Sequence, residues 1–121
     1  MSKRILIIEN DERFSQFLQR ACENELPFLE ADFASNGWEA LKLICSNPSD
    51  YVLIATDIDM APISGDDMIT ILNILKKYQL CNAEVLSISG KVSPRPGWFL
   101  EKPFSADDFC AKVSEILDSS S

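Results

Sequence analysis

With no histidine among its 121 residues, this chain must do any chemistry with carboxylates, hydroxyls, thiols and lysines. Four groups stand out: Glu9-Asn10-Asp11, Asp57 with Asp59 two positions on, Ser89, and Lys102 followed by Pro103. Carboxylates brought together repel one another unless a cation or an ammonium neutralises them. A Mg²⁺ ion held by several oxygens is the natural occupant of such a cluster. Zinc is disfavoured without histidine, and the chain cannot itself donate from a phosphohistidine. Cys22, Cys45, Cys81 and Cys110 form no CxxC pair. They read as buried, reduced thiols of a cytoplasmic protein.

These residues matter only if secondary structure brings them together. Arg4–Ile8 is a short continuous apolar run ending in charge, the pattern of a strand buried on both faces. From Asp11, a plausible N-cap, Phe14, Phe17, Leu18, Ala21 and Cys22 recur at helical spacing to about Glu25, and Pro27 stops the helix. Phe28–Ala34 reads as a second strand. Asn36-Gly37 is a turn signal before a helix with Ala40, Leu41, Ile44 and Cys45 on one face, closed by Pro48. Tyr51–Thr56 is a third buried strand, followed by a loop over Asp57–Ser64. Gly65 opens a helix with Met68, Ile71, Leu72 and Leu75 inward, ending near Lys77. Glu84–Ser89 and Trp98–Glu101 are the fourth and fifth strands. Ser105 begins the last helix with Asp108 as a capping-box partner, and Ser119–Ser121 read as a tail.

Strands alternating with helices specify a mostly parallel sheet covered on both faces. The expected class is α/β, a flavodoxin-like doubly wound sheet of five parallel strands in order 2-1-3-4-5, one domain over 1–121 with its core at about 4–117. In such sheets ligands bind beyond the carboxyl ends of the strands. All four chemical groups fall there. The net charge of −8 argues against direct nucleic-acid binding. No apolar run approaches the length of a membrane span, so no membrane association is expected.

The acidic group after RILII, the stretch NGWEAL (Asn36–Leu41), Asp57 with Met60 and Gly65, and Lys102-Pro103-Phe104 together resemble the receiver domains of two-component response regulators. The resemblance runs from about Arg4 to Leu117. It implies that Asp57 accepts a phosphoryl group, that Glu9 and Asn10 occupy the Mg²⁺-binding acidic pair, and that Asp59 sits where a backbone carbonyl completes the metal's ligands. It further implies that Ser89 hydrogen-bonds the phosphoryl group, that Lys102 pairs with one of its oxygens, and that Phe99 is the aromatic switch residue. The implied partners are a histidine kinase or histidine phosphotransfer protein upstream and a protein target downstream. A domain of this kind is a phospho-acceptor rather than a turnover enzyme.

The sequence departs from that pattern twice. Asn10 stands where an acid is usual; an amide oxygen can still coordinate Mg²⁺ but brings no charge, so weaker binding is expected. The segment between Ser89 and Lys102 is also short. Gly90–Gly97 (GKVSPRPG) has two prolines and two glycines in eight residues, which excludes a stable helix. The helix expected there is therefore missing or reduced to a loop, leaving part of one sheet face uncovered. Exposed apolar sheet surface marks partner sites, so the region from Val92 to Trp98 is expected to form a nonstandard interface, a homodimer among its forms, unless Trp98 folds over the gap.

Two other functions fit the residues less well. A pseudo-receiver, binding proteins without phosphorylation, is favoured by Asn10 and the lost helix and opposed by Asp57, Ser89 and Lys102. A flavodoxin-like cofactor binder is opposed by the glycines at 37, 65, 90 and 97, which form no phosphate-cradling loop.

Overall fold

The computed structural model describes residues 3–47, 50–58, 65–78, 80–90 and 97–119. The element order is β1 (Lys3–Ile8), α1 (Glu12–Glu25), β2 (Leu29–Ala34), α2 (Gly37–Ser46), β3 (Tyr51–Asp57), α3 (Gly65–Lys77), β4 (Glu84–Ser89), β5 (Trp98–Glu101) and α4 (Ala106–Ser119). The five strands form one parallel sheet in the order β2-β1-β3-β4-β5. Both the strand set and the order match the expectation.

Alternation along the strands divides the core in two. Ile5, Ile7, Leu53, Ala55, Leu86 and Ile88 face α1 and α4, where Leu18, Cys22, Phe109, Val113 and Ile116 complete one cluster. Leu6, Ile8 and Ile54 face α2 and α3, meeting Ala40, Ile44, Met68 and Leu72 in the other. The central strands are thus apolar on both sides. That is why RILII and YVLIAT read as unbroken runs rather than alternating ones.

Local chemistry sets the element ends. Asp11 caps α1, its carboxylate accepting from the backbone N–H groups of Arg13 and Phe14 at 2.9 and 3.2 Å. Asn36 caps α2 by accepting from Glu39 N–H. Ser105 and Asp108 form the expected reciprocal capping box, at 3.0 and 3.1 Å. Helix α4 therefore begins at Ala106, one residue past its cap.

Several boundaries differ from the sequence reading. Phe28 is exposed and precedes β2, because Leu29 N–H closes a turn onto the Leu26 carbonyl. Asp57 is the last residue of β3 rather than the first of a loop. Ser119 belongs to α4, not to a tail. Cys45 is exposed, unlike Cys22, Cys81 and Cys110. The buried stripe of α2 is narrow, Gly37, Ala40 and Ile44, and Cys45 lies about 100° around the helix from Ile44. The β1–β3 pairing also slips between Arg4 and Ile5.

Among the described residues no helix lies between β4 and β5. Residues 91–96, which join them and include Val92, lie outside the described residues, as do Pro48 and Asp59. Trp98 is half-buried. It packs against the α1/α4 core and borders a groove of about 210 Å³ between α3 and β4 lined also by Ile69, Asn73, Val85 and Ser87. It borders that groove rather than filling it. Among the described residues no helix is long and apolar enough to cross a membrane.

Candidate functional site

Three strand ends converge. Glu9 follows β1, its N–H held by the Ala34 carbonyl of β2 at 3.0 Å. Asp57 closes β3, and Ile58 just beyond it donates to the Ile88 carbonyl of β4. Lys102 follows β5, its N–H donating to the Ser89 carbonyl at 2.8 Å. Backbone ladders therefore fix the origin of each side chain. Lys102-Pro103 is a cis peptide.

The side chains meet at the lysine. Lys102 Nζ lies 3.0 Å from Asp57 Oδ2 and 3.4 Å from Glu9 Oε2. The other oxygen of Glu9 accepts from Asp11 N–H at 3.1 Å. Glu9 and Asp57 are only 4% and 6% exposed, and Ser89 is fully buried. Two carboxylates so deep in the protein need compensation, and the ammonium supplies it. Burial lowers the affinity of Lys102 for its proton, but its hydrogen bond to Asp57 and the charges of Glu9 and Asp57 outweigh that, so its pKa lies above the ordinary lysine value. Burial is also the largest influence on Glu9 and raises its pKa, with the Asp57 charge adding to it and Lys102 opposing.

Among the described residues both carboxylates face the Lys102 ammonium. The donor set is all oxygen, and with the Asn10 amide next in the chain it suits a hard divalent cation such as Mg²⁺. Glu9, Asn10 and Asp57 are the residues that would hold it. Among the described residues no group of three or more histidine, cysteine or acidic side chains is placed to bind a metal, and Asp59, the fourth expected ligand, lies outside them. Asp11 offers no substitute in this arrangement: its carboxylate is committed to capping α1.

Phe99 is half-buried on β5, paired in register with Ser87 and one residue from Trp98. By alternation it shares a sheet face with Ser87 and Ser89. One contact was not anticipated from the sequence, where Phe14 reads only as an inward residue of α1. Its ring face lies 4.4 Å from Lys102 Nζ. Helical spacing places Phe14 on the core side but carries no signal of a partner 88 positions away.

A parallel 2-1-3-4-5 sheet with an acidic, lysine-bridged pocket at its carboxyl edge is the architecture of receiver domains. The chain's structural neighbours are response-regulator receiver domains. It is similar to the chemotaxis protein CheY4 of Vibrio cholerae, with a TM-score of 0.81 and 16% identity, covering 96% of this chain and 99% of that one. The receiver domain of the hybrid histidine kinase CckA is 28% identical, with a TM-score of 0.74 and coverage of 94% and 98%. In sequence, the chain is 28% identical over 123 aligned positions to the sensor histidine kinase TmoS of Ectopseudomonas mendocina. That alignment takes in 94% of this chain and spans only 12% of the kinase's length. No family model matches the chain.

Proposed function

We propose that this chain is a Mg²⁺-dependent phospho-acceptor, taking a phosphoryl group on Asp57 from the phosphohistidine of a kinase or phosphotransfer partner. The observation that carries the reading is the Lys102 ammonium, held within 3.4 Å of both buried carboxylates at the sheet's carboxyl edge. Asp57 attacks phosphorus through a carboxylate oxygen as the P–N bond to the donor imidazole breaks. The electron pair returns to the imidazole nitrogen, which takes up a proton. Such a transfer needs positioning and charge neutralisation more than covalent help. A bound Mg²⁺ would neutralise the incoming phosphoryl oxygens. Lys102 would pair with one of them, and Ser89 would donate a hydrogen bond to another.

As a phospho-acceptor the chain is a regulator rather than a turnover enzyme. Its output is altered binding to a protein target, with Ser89 and Phe99 as the switch pair. A second copy of the chain is a further expected partner, through the region of Val92 and Trp98. Sedimentation at micromolar concentration tests that: a strict monomer with and without phosphorylation rejects it.

The acceptor itself is tested by mixing the protein with acetyl phosphate and Mg²⁺ and measuring intact mass. One added phosphoryl group is expected, absent in Asp57→Asn. No adduct on the unaltered chain would favour a pseudo-receiver, the reading that the uncharged Asn10 supports.

A further inference from the structure

Lys102 carries its charge on a four-carbon stem, and such a stem does not by itself fix an ammonium. Two carboxylates draw it from one side. On another lies the face of Phe14, its centroid 4.4 Å from Nζ. A cation over an aromatic face at that distance is attracted by the ring quadrupole, more strongly where water is excluded. The ring is itself held in place. Phe14 N–H donates to the Asp11 cap at 3.2 Å, which anchors its backbone in the first turn of α1. Its ring meets Phe104 edge-on, centroids 5.4 Å apart. Phe104 in turn stacks on the fully buried Phe109 at 6.1 Å. Because Phe104 lies two residues beyond Lys102, the ring spans the start of α1 and the β5–α4 connection.

We propose that Phe14 is a positioning residue for phosphoryl transfer, its ring face holding the Lys102 ammonium over the carboxylates of Asp57 and Glu9. This role rests on the reading of Asp57 as the acceptor; the contact itself does not. Without the ring, Lys102 samples orientations that no longer face the incoming phosphoryl group. The acceptor stays present but is less often matched with its counter-charge.

Two measurements on Phe14→Leu, Phe14→Tyr and the control Phe17→Leu test the role. Phe17 belongs to the same ring cluster, 5.7 Å from Phe14 and 6.5 Å from Phe104. The first measurement is the initial rate of labelling by acetyl phosphate with Mg²⁺. Phe14→Leu is expected to slow it about two- to fivefold, the range a cation–π contact supports. Phe14→Tyr and Phe17→Leu should keep the rate of the unaltered protein. A Phe14→Leu protein that labels at the full rate, or a Phe17→Leu protein slowed as much, overturns the role. The second is the NMR shift of the Lys102 ε-methylene protons, which needs no phosphorylation. A ring current should move them upfield in the unaltered chain and in Phe14→Tyr, and Phe14→Leu should return them toward an ordinary lysine position. Equal shifts in all three overturn the contact. If the shift behaves as expected but the unaltered chain takes no phosphoryl group, the acceptor reading fails, and the role fails with it while the contact stands.

Discussion

Asn10 follows Glu9 in the chain and is exposed, and its amide offers an oxygen without a charge. Replacing it with aspartate adds one negative charge beside Glu9, whose carboxylate faces the Lys102 ammonium together with Asp57. Asn10→Asp is therefore expected to raise Mg²⁺ affinity by about tenfold, read by titration of the intrinsic fluorescence or by calorimetry. The unaltered chain should bind the ion more weakly than receivers with a full acidic pair. Thiol labelling offers a second check. Burial pushes the Cys22 thiol up to about 11. Burial, with a hydrogen bond to Glu25 behind it, pushes Cys110 up to about 12. Both should resist iodoacetamide at pH 7.5 in the native protein, as should the buried Cys81, while the exposed Cys45 reacts first. Mass mapping of the first modified site decides this. Glu9, Asp57 and Lys102 could be found in the sequence because strand ends in an α/β chain point to one edge. The Phe14 contact could not, since it depends on the angle between α1 and the segment after β5.

The start of α1 touches the site. The Asp11 cap fixes its first turn, and that turn carries Phe14. Asp11→Ala should cost about 1 kcal/mol, lowering the melting temperature by roughly 4 °C. Asp11→Ser should restore most of it. Glycine, proline and capping signals marked nearly every boundary, as at Asn36-Gly37 and Ser105–Asp108. They failed at Phe28, where the turn from Leu26 to Leu29 holds the residue outside β2, and the helical pattern misplaced Cys45, because the buried stripe of α2 is narrower than its apolar residues suggest. The slip between Arg4 and Ile5 in the β1–β3 pairing was likewise hidden, because register depends on two strands at once.

For the molecule as a whole, the sheet's far end is secured differently from its carboxyl edge. Arg4 pairs with Asp32 through two bonds of 2.7 and 3.1 Å and also with Glu30, and the Tyr51 hydroxyl donates to Asp32 at 2.8 Å. Three strands are tied by this cluster. The hydrogen bond from Arg4, with help from Tyr51, holds the Asp32 carboxyl below its usual range. Its stabilisation is thus complete above the unfolded aspartate value near pH 4 and is lost as pH falls through the lower folded value. Chemical denaturation at pH 6 and pH 3 should show a loss that is smaller in Asp32→Asn than in the unaltered chain. A difference of equal size in both would remove the cluster from the account of acid stability. The overall topology was legible because alternating strands and helices admit few arrangements. This tether was not, since it joins side chains from three strands whose mutual register the sequence does not state.

One rung of the ladder has a further consequence. The main chain of Lys102 is fastened to the carbonyl of Ser89, and β5 is only four residues long at the rim of the sheet. The backbones that carry the hydroxyl and the ammonium are therefore coupled. Under the proposed acceptor role, a binder that tugs the outermost strand would move the origins of Ser89 and Lys102 together, and with them the lifetime of a phosphoryl group on Asp57.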